Sequence, residues 1–193
     1  MAEPLTLDPS TTALVLIDLQ NGILAKPAAP HSVAEVQQNA RSLAAAFRSA
    51  GAPVVYVHVD LRHMLPLLVD RPLTPPDAPL PPPEALEFTA ESGYQRGDLT
   101  VLKRHYGAFG GTDLEAVLRS SGIDTVVIGG VSTQRGVEST VRQGTGLGFH
   151  FVVVEDACAS SEADAHRYSI ESIFPSLARV RSAKEVVAAM QKP

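Results

Sequence analysis

Residues Asp124–Thr140 read DTVVIGGVSTQRGVEST, and this stretch decides the fold class. Its first five residues are largely apolar and β-branched, which predicts a buried strand that Gly129 and Gly130 end. Ser132 or Thr133 is then suited to cap a helix. A strand that turns tightly into a helix N-terminus gathers unpaired N–H groups and so binds anions. An ordinary strand-to-helix junction has the same pattern, so this stretch alone leaves both interpretations open.

Length and composition indicate a soluble globular chain that we expect to form one domain, residues 1–193. It has 193 residues, 45% of them hydrophobic and 19% charged, and a net charge of −5. This charge gives no reason to expect nucleic-acid or membrane binding. No basic residue occurs among the first twenty, which argues against a signal peptide. A single cysteine, Cys158, rules out an internal disulfide and fits a cytoplasmic location.

Upstream, residues Thr11–Leu19 form a continuous apolar run that predicts a strand buried on both faces. Asp18 ends this run. Open α/β sheets place ligand chemistry at the C-terminal ends of their central strands. An aspartate that caps the turn before Asn21 and Gly22 explains the residue equally well.

The rest of the chain alternates between helical and strand patterns, which predicts a three-layer α/β/α fold with a mostly parallel sheet. We predict strands at Val54–Val59, Leu99–Leu102, Phe149–Glu155 and Ala178–Val180, and helices from Ser32 to Gly51, Thr112 to Ser121, Arg135 to about Leu147, Ser160 or Ser161 to Phe174, and after Ser182.

One segment, about residues 61–98, breaks this alternation. Its proline-rich part, Leu73–Pro83, is predicted to be neither helix nor central strand, because proline lacks the N–H donor and fixes φ. We interpret the segment as a surface excursion, since the elements on either side belong to the same predicted sheet. A polyproline docking motif is the alternative.

Asp18, Lys103 and the turn after the Asp124 strand each follow a different predicted strand. The C-terminal ends of parallel strands lie at one edge of a sheet, so an acid, a base and a group of backbone N–H donors are expected to converge there. A buried Asp–Lys pair keeps the carboxylate oriented, and its surroundings can tune it for proton transfer.

The sequence resembles the isochorismatase-like hydrolase superfamily. The motifs that carry the resemblance are Ala13–Gln20, Lys103–Leu114, Val127–Thr140, Val154–Cys158 and the closing Ala178–Glu185. They cover the chain except for about residues 61–97. The resemblance implies a six-stranded, mostly parallel sheet flanked by helices, often assembled as a homodimer or homotetramer.

Most members of that superfamily are cysteine hydrolases of amides. In them, residues at the positions of Asp18 and Lys103 activate a cysteine at the position of Gly136. The backbone at Val131, Ser132 and Gly136 corresponds to their oxyanion hole, with a cis Val131–Ser132 bond. Because this chain has glycine at 136, a thiolate nucleophile at that position is impossible.

Isochorismatases also carry glycine there and hydrolyse a vinyl ether, which needs a proton from the aspartate and attack by water. Asp18 and Lys103 suit that chemistry. The glutamine and arginine that isochorismatases place after the second strand are not identifiable, and Arg62, Arg71 and Arg96 are unaligned candidates. The motifs fit best an uncharacterised bacterial branch that also has glycine for cysteine.

Neither Cys158 nor the histidines suggest another centre. Cys158 follows a different strand and is interpreted as a small buried thiol. Metal-binding members use an Asp-x-His pair, but the histidine that follows Asp60 is His63, one position later than this spacing requires. We interpret His58 and His63 as packing and surface residues, and we expect no metal and no cofactor.

We therefore predict a cytoplasmic, non-thiol hydrolase of a small cyclic molecule, with an anionic and a neutral substrate both left open. Asp18 is the expected general acid/base and Lys103 its partner. Gln20, Tyr106 and Phe109 are expected to line the substrate pocket, although an aromatic pair after a strand is as often core. The alternative is a catalytically inactive member that binds a metabolite or a partner.

Overall fold

A six-stranded sheet whose strands are all parallel forms the centre of the computed structural model, which describes residues 4–72, 75 and 77–191. The strand order is β3-β2-β1-β4-β5-β6. The strands are β1 (Thr12–Ile17), β2 (Val54–Val59), β3 (Leu99–Lys103), β4 (Thr125–Val131), β5 (His150–Ala159) and β6 (Arg179–Arg181).

Helices cover both faces of the sheet, which confirms the predicted three-layer α/β/α fold. The described residues form α1 (Asn21–Leu24), α2 (Val33–Ser49), α3 (Pro83–Leu86), α4 (Leu114–Ser120), α5 (Glu138–Gly146), α6 (Ala163–Tyr168) and α7 (Ala183–Met190). Helices α2 and α7 contribute to one hydrophobic core, and α4 and α5 to the core on the opposite face. None of these helices is long and apolar enough to cross a membrane.

Strand β1 is buried along its whole length, as its unbroken apolar sequence predicts. Leu14 and Leu16 pack into the core beneath α2, whereas Val15 and Ile17 pack into the core beneath α5. Alternate residues of a strand point to opposite faces, so a central parallel strand needs apolar residues at every position. This arrangement leaves the strand's C-terminal end as the place for a polar group.

Strand β4 extends further than predicted, through Gly129 and Gly130 to Val131. Its register against β5 shifts between Ile128 and Gly130. Gly130 has φ 124°, and a Cβ at this position would overlap the carbonyl oxygen of Ile17 on β1. The glycines therefore let the strand continue beside β1 rather than ending it.

The helix predicted from Arg135 begins later, because a π-helical turn, Thr133–Val137, precedes α5. The Ser132 side chain does not cap this turn, and the Ser132 carbonyl instead accepts the Arg135 N–H at 3.1 Å. The helix predicted to reach Phe174 likewise ends at Tyr168 and passes into a second π-helical turn. Over so few residues, α-helical and π-helical turns give similar apolar spacings, so the sequence pattern did not distinguish the π-helical turns from α-helix.

The excursion between β2 and β3 returns to the sheet through α3. This helix begins at Pro83, where a missing N–H is harmless, so the exclusion of helix over Leu73–Pro83 was wrong at its last residue. Residues 73, 74 and 76 lie outside the described residues. The buried Gln20 amide donates to the carbonyls of Val59 at 2.9 Å and Leu86 at 2.8 Å. These bonds hold the end of α3 beside the C-terminal end of β1.

Candidate active site

Asp18 and Lys103 meet at the C-terminal edge of the sheet, where β1 and β3 end. The Lys103 Nζ lies 2.9 Å from Asp18 Oδ2 and also donates to the carbonyl of His105 at 3.1 Å. Both side chains are buried, with 4% of the Lys103 side chain and 9% of the Asp18 side chain exposed. The structure therefore brings the predicted acid and base into direct contact.

The backbone of Asp18 is itself unusual. Its φ of 56° is left-handed, a conformation that non-glycine residues adopt at a cost of order 1–3 kcal/mol. The Asp18 N–H donates to the carbonyl of Val57 at 2.9 Å, and the Asp18 carbonyl accepts the N–H of Gln20 at 2.8 Å. These bonds fix the turn that directs the carboxyl group.

Burial raises the pKa of the Asp18 carboxyl from 3.8 to about 6, although Lys103 opposes the rise. Its two oxygens differ, because Oδ2 faces Lys103 whereas Oδ1 is buried and has no hydrogen-bond partner within the described residues. Oδ1 is therefore available to carry a proton. A carboxyl with a pKa in this range can act as an acid near neutral pH.

A cavity of about 400 Å³ opens beside this carboxyl. Its volume suits a small-molecule ligand. Asp18 and Lys103 lie in its wall with Val131, the last residue of β4, and with Ser132 and Gly136 of the turn that follows. The excursion contributes another side, through Met64, Pro81, Ala85 and Leu86.

The turn after β4 places Gly136 against Asp18. The Val131–Ser132 peptide bond is cis, as expected. A Cβ at position 136 would lie 3.5 Å from Asp18 Oδ2 but only 2.8 Å from Ile17 Cγ2. A side chain here would therefore point at the carboxylate, yet the Ile17 methyl occupies part of its space.

Two of the three predicted pocket residues line the cavity, and the third does not. Tyr106 lines the cavity, and Gln20 lines it with an amide committed to backbone bonds. Placing Phe109 in the pocket was wrong, because its ring stacks on Phe149 at 5.4 Å within the core beneath α5. An aromatic residue three or six positions after a strand does not reveal by itself which side of the loop it faces.

Two cationic residues that sequence reasoning missed, Lys26 and Arg135, line the cavity. The position of Arg135 directly before Gly136 was the available signal. The three arginines considered earlier do not line it: Arg62 pairs with Asp60 at 2.6 Å, Arg71 is exposed, and Arg96 belongs to a different surface hollow.

The other candidate centres lie away from the cavity. Cys158 is fully buried in β5, and burial raises the pKa of its thiol far above the ordinary range. His58 packs its ring edge-on against Phe88, and His63 pairs with Asp60. Among the described residues, the group of three potential metal ligands comprises His31, Glu155 and His166, none of which lines the cavity.

The elevated pKa of Asp18 is directly measurable. In the free protein, ¹³C NMR of carboxyl-labelled aspartate should show one carboxyl, absent from Asp18→Asn, that titrates near pH 6. Lys103→Met should move this pKa upward, because removing the ammonium leaves burial unopposed. Titration near the ordinary aspartate pKa of about 4 would contradict the burial argument.

The close contact at Gly136 predicts a stability difference between two glycines. Gly136→Ala should lower the free energy of unfolding by ~1–3 kcal/mol, because the added methyl presses on Ile17. Gly146→Ala is the matched control, since a Cβ there meets nothing within 4 Å and alanine favours the helix by up to ~1 kcal/mol. Urea unfolding of both variants tests this, and equal stabilities would refute the packing argument.

Comparison with known proteins identifies the scaffold. Residues 12–185 match the Isochorismatase domain family. The chain is 45% identical to the uncharacterised isochorismatase family protein YecD of Escherichia coli O157:H7, covering 96% of this chain and 100% of that one. It is 30% identical to maleamate amidohydrolase of Pseudomonas putida, with 83% and 78% covered.

Solved structures agree with the sequence relatives. An isochorismatase family protein from Burkholderia thailandensis superposes with a TM-score of 0.90 at 40% identity, covering 97% of this chain and 98% of that one. The chain therefore belongs to the isochorismatase family and is a hydrolase of that family.

Proposed function

We propose that this hydrolase protonates a small substrate from Asp18 and hydrolyses it with water, without a covalent enzyme intermediate. The observation that carries the proposal is the Asp18 carboxyl, which lies in the cavity wall, has a raised pKa and has no hydrogen-bond partner for Oδ1 among the described residues. The position opposite it, Gly136, has no nucleophile. A proton donor without a neighbouring nucleophile suits acid-catalysed addition of water better than acyl transfer.

A vinyl ether is the substrate class that we assign to this site. Protonated Asp18 gives its proton to the terminal alkene carbon, and an oxocarbenium ion forms. Water adds to the cationic carbon, and the resulting carboxylate takes the proton that the water loses. The hemiketal then collapses into a carbonyl compound and an alcohol, so one water is consumed and Asp18 regains its initial form.

Lys103 has two roles in this proposal. Its ammonium holds Asp18 Oδ2 at 2.9 Å, which leaves Oδ1 as the oxygen that carries the proton. It also stabilises the carboxylate after the proton has left. We further propose that the backbone N–H groups of Ser132 and Gly136 bind a substrate oxygen, because both residues line the cavity beside Asp18.

A thiol mechanism has no support from the residues present. Relatives include maleamate amidohydrolase and a ureidoacrylate amidohydrolase at 29% identity. In the cysteine hydrolases that the chain resembles, the nucleophile stands at the position of Gly136. The thiol of Cys158 is buried in the sheet, and its raised pKa keeps it protonated.

The charge of the cavity wall favours an anionic substrate. Lys26 and Arg135 line the cavity in addition to Lys103, whose charge is paired with Asp18. Among the described residues that line the cavity, Asp18 is the one carboxylate. Arginine and lysine recognise carboxylates and phosphates through charge-assisted hydrogen bonds. We therefore propose a vinyl ether that carries at least one carboxylate.

The alternative, a metabolite-binding protein without turnover, is less well supported. An inactive member is expected to have an occluded pocket or an ordinary carboxylate. This chain instead has a cavity of about 400 Å³ and an aspartate with a pKa of about 6. A pure binding site gains nothing from a carboxyl that is poised to exchange its proton at neutral pH.

Asp18→Asn tests the acid role directly. The substitution keeps the side-chain shape and removes the proton, so hydrolysis of carboxylated vinyl ethers should fall by ~10²–10⁴-fold. Cys158→Ala is the control and should leave the rate unchanged. Rates measured by product chromatography decide the matter: full turnover by Asp18→Asn, or loss of activity with Cys158→Ala, would contradict the assignment.

Arg135→Gln tests the anionic substrate. Loss of the guanidinium should raise KM at least ~10-fold for a carboxylated vinyl ether, because a charged hydrogen bond is worth about 1.5–3 kcal/mol. The methyl ester of the same compound should show a smaller change. Arg142→Gln, which alters an exposed arginine paired with Glu138, is the matched control. Equal effects on acid and ester would show that Arg135 does not bind the carboxylate.

A further inference from the structure

A second group of ionisable side chains converges outside the cavity. His31 precedes α2, Glu155 lies in β5 and His166 lies in α6. Glu155 Oε1 is 2.6 Å from His31 Nε2 and 3.3 Å from His166 Nε2. Two imidazole nitrogens therefore lie against one carboxylate oxygen, and one potential ligand atom from each of the three residues lies within 4.8 Å of the other two.

We propose that His31, Glu155 and His166 form a binding site for Zn²⁺ or a chemically similar divalent transition metal. Two imidazoles and a carboxylate are a well-established ligand set for this ion, with a fourth position left for water. Metal–ligand bonds of about 2.0–2.1 Å in a tetrahedron place neighbouring ligand atoms about 3.3 Å apart. The His166–Glu155 pair already has this spacing, and the His31–Glu155 pair needs to open by less than 1 Å.

The surroundings of His166 suit a metal ligand. Its other ring nitrogen, Nδ1, lies 2.8 Å from Thr133 Oγ1, and its side chain is only 3% exposed. A ligating histidine is normally held by such a hydrogen bond on its second nitrogen. The threonine hydroxyl can accept from Nδ1–H when Nε2 binds a metal, and donate to Nδ1 when Nε2 carries the proton.

Solvent can reach the proposed site from the side of His31 and Glu155. Their side chains are 25% and 33% exposed, respectively. An ion can therefore enter without unfolding the core. Carboxylate and imidazole ligands suit zinc and its neighbours, whereas magnesium and calcium prefer oxygen ligands alone.

Binding at this position would join three parts of the chain that are far apart in sequence. His31 and Glu155 are separated by 124 residues. Thr133 adds a link to the π-helical turn that carries Gly136, so the metal would stabilise the back of the turn whose front lines the cavity. This role is structural, and it does not depend on the function proposed for Asp18.

Zinc titration of the chelator-treated protein tests the proposal. We expect one equivalent of Zn²⁺ to bind at micromolar concentration and to raise the Tm, and Co²⁺ to give the visible absorption of a four-coordinate site. His31→Gln and Glu155→Gln should each weaken binding by at least ~100-fold, and Thr133→Val by ~10–100-fold. His150→Gln, which alters an exposed histidine outside the group, should bind like the parent.

Two results would overturn the proposal. The first is that the parent protein binds no Zn²⁺ at micromolar concentration. The three side chains would then only connect their segments by hydrogen bonds. The other is unchanged binding by His31→Gln and Glu155→Gln, which would place the metal elsewhere. The Tm of each variant without metal shows that it is folded, and the Co²⁺ spectrum of the parent reports the ligand geometry without any substitution.

Discussion

The ion pair between Asp18 and Lys103 is the interaction on which the site depends. Two opposite charges removed from water in this way are stable only when they face each other, because an unpaired buried charge costs several kcal/mol. The pair joins β1 to β3 across the intervening strand β2, at the edge where the sheet opens to the cavity. Burial raises the pKa of Asp18 while Lys103 limits the rise, so the carboxyl is poised near neutrality.

The rest of the fold holds this pair beside an open space. Gly130 lets β4 approach β1 closely, and the turn that follows presents Gly136 to the carboxyl. Gln20 anchors the end of α3 to the same edge, so the proline-rich excursion supplies a wall of the cavity. The family scaffold is thus retained around Gly136, which has no nucleophilic side chain and beside which Ile17 would partly fill the space of one. These residues are the basis on which we propose acid chemistry from Asp18.

Much of this could be predicted from the sequence, because the strongest signals are local. Unbroken apolar runs indicate buried parallel strands, and polar residues at their ends mark the sheet edge, which is how Asp18 and Lys103 were found. Local pattern does not report which way a loop residue faces, so Phe109 was misplaced and Arg135 was missed. It also cannot bring together His31, Glu155 and His166, whose proximity exists only once three separate elements have packed.

The central claim is that Asp18 holds a transferable proton on the oxygen that faces away from Lys103. Neutron diffraction from perdeuterated crystals at a pH of about 5, below the pKa of about 6, tests this without any substrate. The account predicts deuterium on Asp18 Oδ1 and three deuterons on Lys103 Nζ, one of them directed at Oδ2. An unprotonated Oδ1 at that pH, or a deuteron shared between Oδ2 and a neutral lysine, would contradict it.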